Sequence, residues 1–130
     1  MATHDNPGIL VRRMVDYFNN RQFDKKDELF APDFFNHALG TTGSQSGKNV
    51  WQMMVEQYPD IRLVIDDVLV DGDRVAIRTT VEGVPLSGNN TRPMLIEIFH
   101  SRDGRLTEMW GLGEGLPFSA ETFENTISKE

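Results

Sequence analysis

The chain has 130 residues, a formal charge of -7, a pI near 4.9 and no cysteine. One domain spanning 1–130 is expected at this length. The 13 scattered Lys and Arg argue against nucleic acid or anionic membrane as partner, and the missing thiols exclude disulfides, thiol nucleophiles and cysteine metal sites.

The opening MATHDNPG lacks a basic-then-apolar leader and no apolar run approaches membrane-spanning length, so a cytoplasmic location is expected. Asn6-Pro7 reads as an N-cap followed by proline at the first helical position. Leu10, Val11, Met14, Val15 and Phe18 then recur at helical spacing, which predicts a helix over Pro7 to Asn20. Asp24 is expected to cap a short second helix through Phe30, stopped at Ala31-Pro32 because a residue before proline avoids the α region. The run Asp33 to His37 reads as a brief strand that brings Asn36 and His37 to the interior or its rim. GTTGSQSG, residues 40–47, has three glycines and no apolar side chain, so it reads as a flexible loop and a candidate cavity mouth. Ser46 is the expected cap of a third helix, whose Val50, Trp51, Met54, Val55 and Tyr58 form an apolar stripe that Pro59 ends.

Ile61 to Val70 and Arg74 to Val84 are β-branched-rich runs about Asp71-Gly72-Asp73, a hairpin with Val75, Ile77, Thr79 and Val81 on its buried face. Pro85 to Thr91 is a loop in which Asn89-Asn90-Thr91 reads as a polar turn rather than a glycosylation site. A second hairpin spans Pro93 to Glu114. The tail from about residue 115 is polar, with a weak helical patch after Ser119, and is expected to be loosely ordered.

The second hairpin carries the anomaly of the sequence. Glu97 lies between Leu95 and Phe99 on one face while Ile96 and Ile98 fill the other, so neither face is plainly wet. A three-residue loop of Arg102-Asp103-Gly104 opposes Ser101 to Arg105 and puts Leu95, Glu97 and Phe99 on one face with Thr107, Met109 and Gly111. Ile96, Ile98 and His100 then share the other face with Leu106, Glu108 and Trp110. A two-residue Asp103-Gly104 turn instead opposes Glu97 to Trp110. We expect the first register, because Gly111 leaves room for a ligand beside Glu97.

Three helices with one brief strand among them, followed by four long strands in meander, predict an α+β roll with helices packed on a curved antiparallel sheet. Such a roll encloses a concave apolar site suited to small organic molecules. Apolar residues on both faces of the last hairpin point to an outer face covered by a second subunit.

Four segments, ILVRRMVDYFNNRQFD, FAPDFFNHALG, DGDRVAIRTTVEG and EIFHSRDGRLTEMWGLGE, in this order and spacing, resemble a SnoaL-like polyketide cyclase of the NTF2-like superfamily. The resemblance covers about residues 9–114. It implies a cone-shaped roll, usually dimeric, whose cavity takes aromatic polyketide intermediates or related hydrophobic metabolites, with no cofactor. In the aldol-type cyclases an aspartate on the last strand is acid and base, and the matching position here is Gly111. By the same count Glu97 matches a pocket histidine and Asn36 a pocket asparagine. Wider relatives resemble the chain at His37, at Glu108-Met109-Trp110 and at Glu114.

The candidate site that follows has Glu97 as acid or base, because a carboxyl walled by Leu95, Phe99 and Met109 is disfavoured in its charged form. An ion pair with Arg78 or Arg92 is the competing account of Glu97. His37 is a second candidate for proton exchange. Asn36, Tyr17, Phe18, Trp51, Met54, Tyr58, Leu95, Phe99, Met109 and Gly111 are the candidate substrate contacts. His100 falls on the opposite face from Glu97 in either register, so no metal site from His37, His100 and Glu97 is expected. The glycines at 111, 113 and 115 precede no adequate helix, so no dinucleotide site is expected. Two readings stay open. One is a cofactor-independent enzyme for cyclisation, isomerisation or epoxide opening of a hydrophobic oxygenated molecule, and the other is a non-catalytic binding or assembly domain.

Overall fold

Helix α1, Pro7–Asn19, starts where expected: Asn6 Oδ1 accepts the Ile9 N–H at 3.1 Å, and Pro7 occupies the first turn, where its missing N–H costs nothing. This computed structural model describes residues 6–128. Residues 1–5, which carry most of the stretch read for an export leader, and residues 129–130 lie outside the described residues. Leu10, Val11, Met14, Val15 and Phe18 are all buried, and α1 packs on the sheet through them. Two polar side chains fix its far end. The Asn19 amide donates to Leu63 O and accepts from Leu63 N, both at 2.9 Å, while Arg21 donates to the carbonyls of Phe18, Pro59 and Ile61.

The segment after α1 departs from the sequence expectation. Phe23–Glu28 is a 3-10 helix with its cap position at Gln22, so Asp24 lies inside it and caps nothing, its carboxylate accepting instead from Lys48 Nζ at 2.6 Å. Phe30 belongs to strand β1, Phe30–Asn36, so Ala31-Pro32 lies within a strand. Pro32 cannot donate to a ladder, and the β1 pairing is irregular between Phe30 and Phe35. Residues 40–47 are not simply a loop either. Thr41–Thr42 forms strand β2 against Phe35 and Asn36, and helix α2, Gln45–Gln57, begins after Ser44. Ser46 is therefore inside the first turn, buried, and caps nothing.

Strands β3, Arg62–Asp71, and β4, Arg74–Glu82, form the first long hairpin. Asp71 opposes Arg74 across a two-residue turn with Gly72 at φ +62°. Val75, Ile77, Thr79 and Val81 are buried, as the alternation requires. In the polar turn at 89–91, Asn89 Oδ1 accepts from Ser87 and Thr91. Strands β5, Met94–Arg102, and β6, Arg105–Glu114, complete a six-stranded sheet in the order β2-β1-β6-β5-β4-β3. The β1–β6 pair is parallel, so the expected antiparallel sheet is mixed. It remains an α+β fold of helices on one mostly antiparallel sheet. Where a loosely ordered tail is expected, the chain forms a helix: α3, Ala120–Ile127, capped by Ser119 Oγ, packs on α2 with Phe123 and Ile127 against the core.

The turn between β5 and β6 has two residues, not three. Asp103 and Gly104 both have positive φ, +53° and +78°, the geometry of a tight hairpin that pairs Arg102 with Arg105. By itself this turn faces Glu97 to Trp110. A β-bulge intervenes: His100 pairs with Glu108 and Ser101 with Leu106, leaving Thr107 extra, its hydroxyl donating to His100 O at 3.1 Å. Beyond the bulge Glu97 opposes Gly111, Phe99 opposes Met109 and Leu95 opposes Gly113. Leu106, assigned above to the outer face, is fully buried, because the bulge inverts the face on its turn side.

Replacing Asn19 by alanine strands the Leu63 N–H and C=O at the rim of the core. The expected loss is about 1–3 kcal/mol of stability with an unchanged m-value in urea unfolding.

Candidate functional site

Between the helices and the concave face of the sheet lies an apolar cavity of about 530 Å³. Met14, Val15 and Phe18 of α1 form one wall, and Val50, Trp51 and Met54 of α2 form another. Leu63, Leu95, Glu97, Phe99, Met109 and Gly111 form the sheet side, with Phe30, Phe34 and Asn36 of β1 beside them. Phe123, Glu124 and Ile127 of α3 close it from the tail. Phe18, Phe23 and Phe30 meet Trp51 at ring separations of 5.8–6.2 Å, so the aromatic wall is fixed by its own packing.

Glu97 points into this cavity. Its carboxyl has no hydrogen-bond or ion-pair partner among the described residues. The two arginines that could have neutralised it are engaged elsewhere, Arg78 with Asp66 and Asp67 and Arg92 with Glu82. The residue keeps partial solvent access, but it borders the cavity and protein surrounds it. Burial without a compensating charge pushes its pKa from 4.5 up to about 7. Gly111 makes the space beside it: a Cβ there would stand 3.2 Å from both Glu97 Cγ and Met109 Sδ.

Asn36 is buried, and its Oδ1 accepts the Leu39 N–H at 3.0 Å. That bond fixes the amide orientation and leaves the NH₂ group without a protein acceptor among the described residues. Asn36 pairs with Met109, one strand from β5, so standard strand spacings put it about 12 Å from Glu97 between Cα atoms, across the cavity floor. A ligand oxygen near Asn36 and an acidic C–H near Glu97 can belong to one small molecule.

Three expected site residues lie elsewhere. His37 follows Asn36, and its ring is on the outer side of the sheet, stacked on Trp110 at 4.5 Å with Nε2 2.6 Å from Glu108 Oε2. β1 ends at Asn36, and the stacking on Trp110 with the Glu108 contact keeps the His37 ring out of the cavity that Asn36 lines. Tyr17 donates from its hydroxyl to Glu28 at 3.0 Å, off the cavity, and Tyr58 packs edge-on against Phe118. Phe18, Trp51, Met54, Leu95, Phe99, Met109, Gly111, Asn36 and Glu97 do line the cavity. His100 pairs with Asp73 at 2.9 Å on the outer face, and among the described residues no group of three His, Cys, Asp or Glu side chains could hold a metal ion. Glu114 opposes Met94 at the end of the sheet and is exposed. No described helix is long and apolar enough to cross a membrane.

Lys26, Lys48, Ser44 and the α3 residues also line the cavity and were not anticipated. The 4-residue spacing of Phe123 and Ile127 was a signal for α3. Nothing in the sequence marked the two lysines.

Residues 11–109 match the family described as SnoaL-like domain. No curated protein matches the chain. Among solved structures, IdmH, a proposed polyketide cyclase from Streptomyces antibioticus, is 23% identical, with 95% of this chain and 99% of that one covered and a TM-score of 0.72. A SnoaL-like polyketide cyclase from Agrobacterium tumefaciens is 13% identical over 95% and 98% of the two chains, with a TM-score of 0.73. AclR, a proposed hydroxylase from Streptomyces galilaeus, is 22% identical over 84% and 79%, with a TM-score of 0.65. At these identities the likeness is one of fold.

The raised pKa of Glu97 has a stability consequence that needs no substrate. A carboxyl whose folded pKa exceeds its unfolded one contributes fully below pH 4.5, and that contribution is lost as pH rises through about 7. The difference is at most about 3 kcal/mol, less whatever cavity water returns to the ionised form. Glu97→Gln is therefore expected to match the parent in stability near pH 4 and to exceed it at pH 8, as read by thermal unfolding at both values.

Proposed function

Since residues 11–109 make this chain a member of the SnoaL-like domain family, we propose that it is a cofactor-independent enzyme moving a proton on a hydrophobic, oxygenated small molecule of polyketide type. The observation that carries the proposal is the unpaired Glu97 carboxyl, with its pKa near 7, in a mostly apolar cavity. A base of that strength is half ionised at neutral pH, where acid–base catalysis is most effective. The polyketide cyclase names carried by related folds agree with this substrate class.

In the proposed step a Glu97 oxygen takes a proton from carbon next to a carbonyl. The C–H electron pair becomes an enolate, whose oxygen accepts a hydrogen bond from the free Asn36 NH₂. The enolate carbon attacks a second carbonyl of the same molecule, closing a ring, and the protonated Glu97 returns its proton to the new alkoxide. Reprotonation at a different carbon gives isomerisation by the same two groups. By resemblance the position of the family's acid falls on Gly111, and the space beside that glycine faces Glu97 directly. In this reading the proton-transfer group has moved across the β5–β6 pair. His37, on the outer face, has no part in the step.

The active form in this proposal is a homodimer. Ile96, Ile98 and Leu112 are 45%, 43% and 83% exposed on the convex side of the sheet, an apolar surface of the kind subunits bury. Sedimentation is expected to give about twice the 14.8 kDa chain mass, and Ile98→Glu to give the monomer. A monomeric parent contradicts this assignment.

Catalysis is tested by deuterium uptake at the activated carbon of a hydrophobic aryl 1,3-diketone in D₂O. The parent is expected to accelerate uptake with kcat/KM rising as pH passes through about 7, where Glu97 ionises. Glu97→Gln is expected to lower the rate about 100-fold or more with little change in ligand affinity. Asn36→Asp keeps an acceptor for the Leu39 N–H but removes the donor, and a loss of about 10–100-fold is expected. If the parent binds the diketone but uptake is no faster than in buffer alone, the fold serves as a binding domain.

A further inference from the structure

The apolar wall of the cavity gives way on one side to cations. Lys26, from the 3-10 helix, and Lys48, from the first turn of α2, both line it, together with Ser44 and Gly47. Their side chains are only 14% and 19% exposed, whereas the carboxylates they pair with, Asp27 and Asp24, are 81% and 93% exposed. Each pair thus joins an enclosed ammonium to a carboxylate standing in water, an arrangement that adds little stability of its own.

The donors are not used up. Of the three N–H groups an ammonium carries, Lys48 gives one to Asp24 at 2.6 Å. Lys26 gives one to Asp27 at 3.0 Å and one to Ser44 Oγ at 2.8 Å. Helix α2 starts at the same place with no acidic residue in its first turn and no side-chain cap, so its positive end adds to the two ammonium charges. The carboxylates among the lining residues are Glu97, on the cavity floor, and Glu124, exposed on α3. In a chain of net charge -7, this rim is a local reversal of sign beside an apolar space.

Taking the cavity as the small-molecule site of the preceding section, we propose that its ligand is a carboxylate-bearing molecule whose anionic end is held between Lys26 and Lys48 while its apolar body reaches inward toward Glu97. A neutral ligand would leave the spare donors of both lysines to water. An anion accepts from them and from the start of α2, and the apolar body keeps its charge away from Glu97.

The test uses 2-naphthoate and its methyl ester, which share one aromatic body and differ in charge. Trp51 lines the cavity and Trp110 sits on the outer face, so in a Trp110→Phe background Trp51 fluorescence reads occupancy. The acid is expected to bind about tenfold tighter than the ester at low ionic strength, with the advantage shrinking as salt is added. Lys26→Gln with Lys48→Gln is expected to remove the preference and leave ester affinity within about twofold, which also shows that the variant is folded. Lys48→Arg, which keeps the charge, is expected to keep the preference. Equal binding of acid and ester by the parent rim, or a preference that survives the double replacement, overturns the assignment. Ester binding in either case still supports an apolar small-molecule site, so failure of the charge assignment is separable from failure of the function proposed above.

Discussion

A carboxyl group without a counter-charge, set among mostly apolar side chains, is the constraint around which this structure is arranged. Glu97 is disfavoured as an anion where it stands, and no described side chain relieves it. The fold carries that cost in the cavity between a helix pair fixed by Phe18 and Trp51 and a sheet floor of Leu95, Phe99 and Met109. Isolated buried ionisable groups persist where a function uses the perturbed protonation equilibrium or where a structural role requires them. Here no structural partner is present among the described residues.

The placement of that carboxyl depends on one extra residue. Without the bulge at Thr107 the tight Asp103-Gly104 turn would set Trp110 against Glu97, and the cavity floor would be filled by an indole. With it, Gly111 faces Glu97 and the floor is open. The same bulge turns Leu106 inward and puts Trp110 on the convex side, where it stacks on His37. One inserted residue thereby divides the sheet into a concave face that holds Glu97 and Asn36 and a convex face that holds both remaining described histidine pairs, His37 with Glu108 and His100 with Asp73.

Much of this was legible in the sequence. The stripe of α1, the alternation in β4 and the misplaced acid on β5 follow from helical and strand periodicity, which local residues determine. The sequence predicts a three-residue turn and the chain has two, yet Glu97 still shares its face with Gly111, because the bulge at Thr107 offsets the shorter turn. Bulges are decided by what the sheet packs against, and no residue at 107 announces one. Asn36 reaches the cavity and His37, read with it for the interior or its rim, does not, because β1 ends between them and the His37 ring stacks on Trp110. The loose tail was a misreading of another kind: Phe118, Phe123 and Ile127 are too few to make a helix alone but enough to dock one on α2. The lysine rim was invisible because it joins residues 26 and 48, whose meeting is a product of the fold.

The central claim is the protonation state of one group, and it can be read directly. Carbon-13 NMR of the glutamate side-chain carboxyls, with the Glu97 signal assigned by its loss in Glu97→Gln, follows that titration in the intact protein. The midpoint is expected near pH 7. A midpoint near 4.5, where an unperturbed glutamate titrates, would show that Glu97 is solvated or paired and would remove the basis for both the chemistry and the cavity's design.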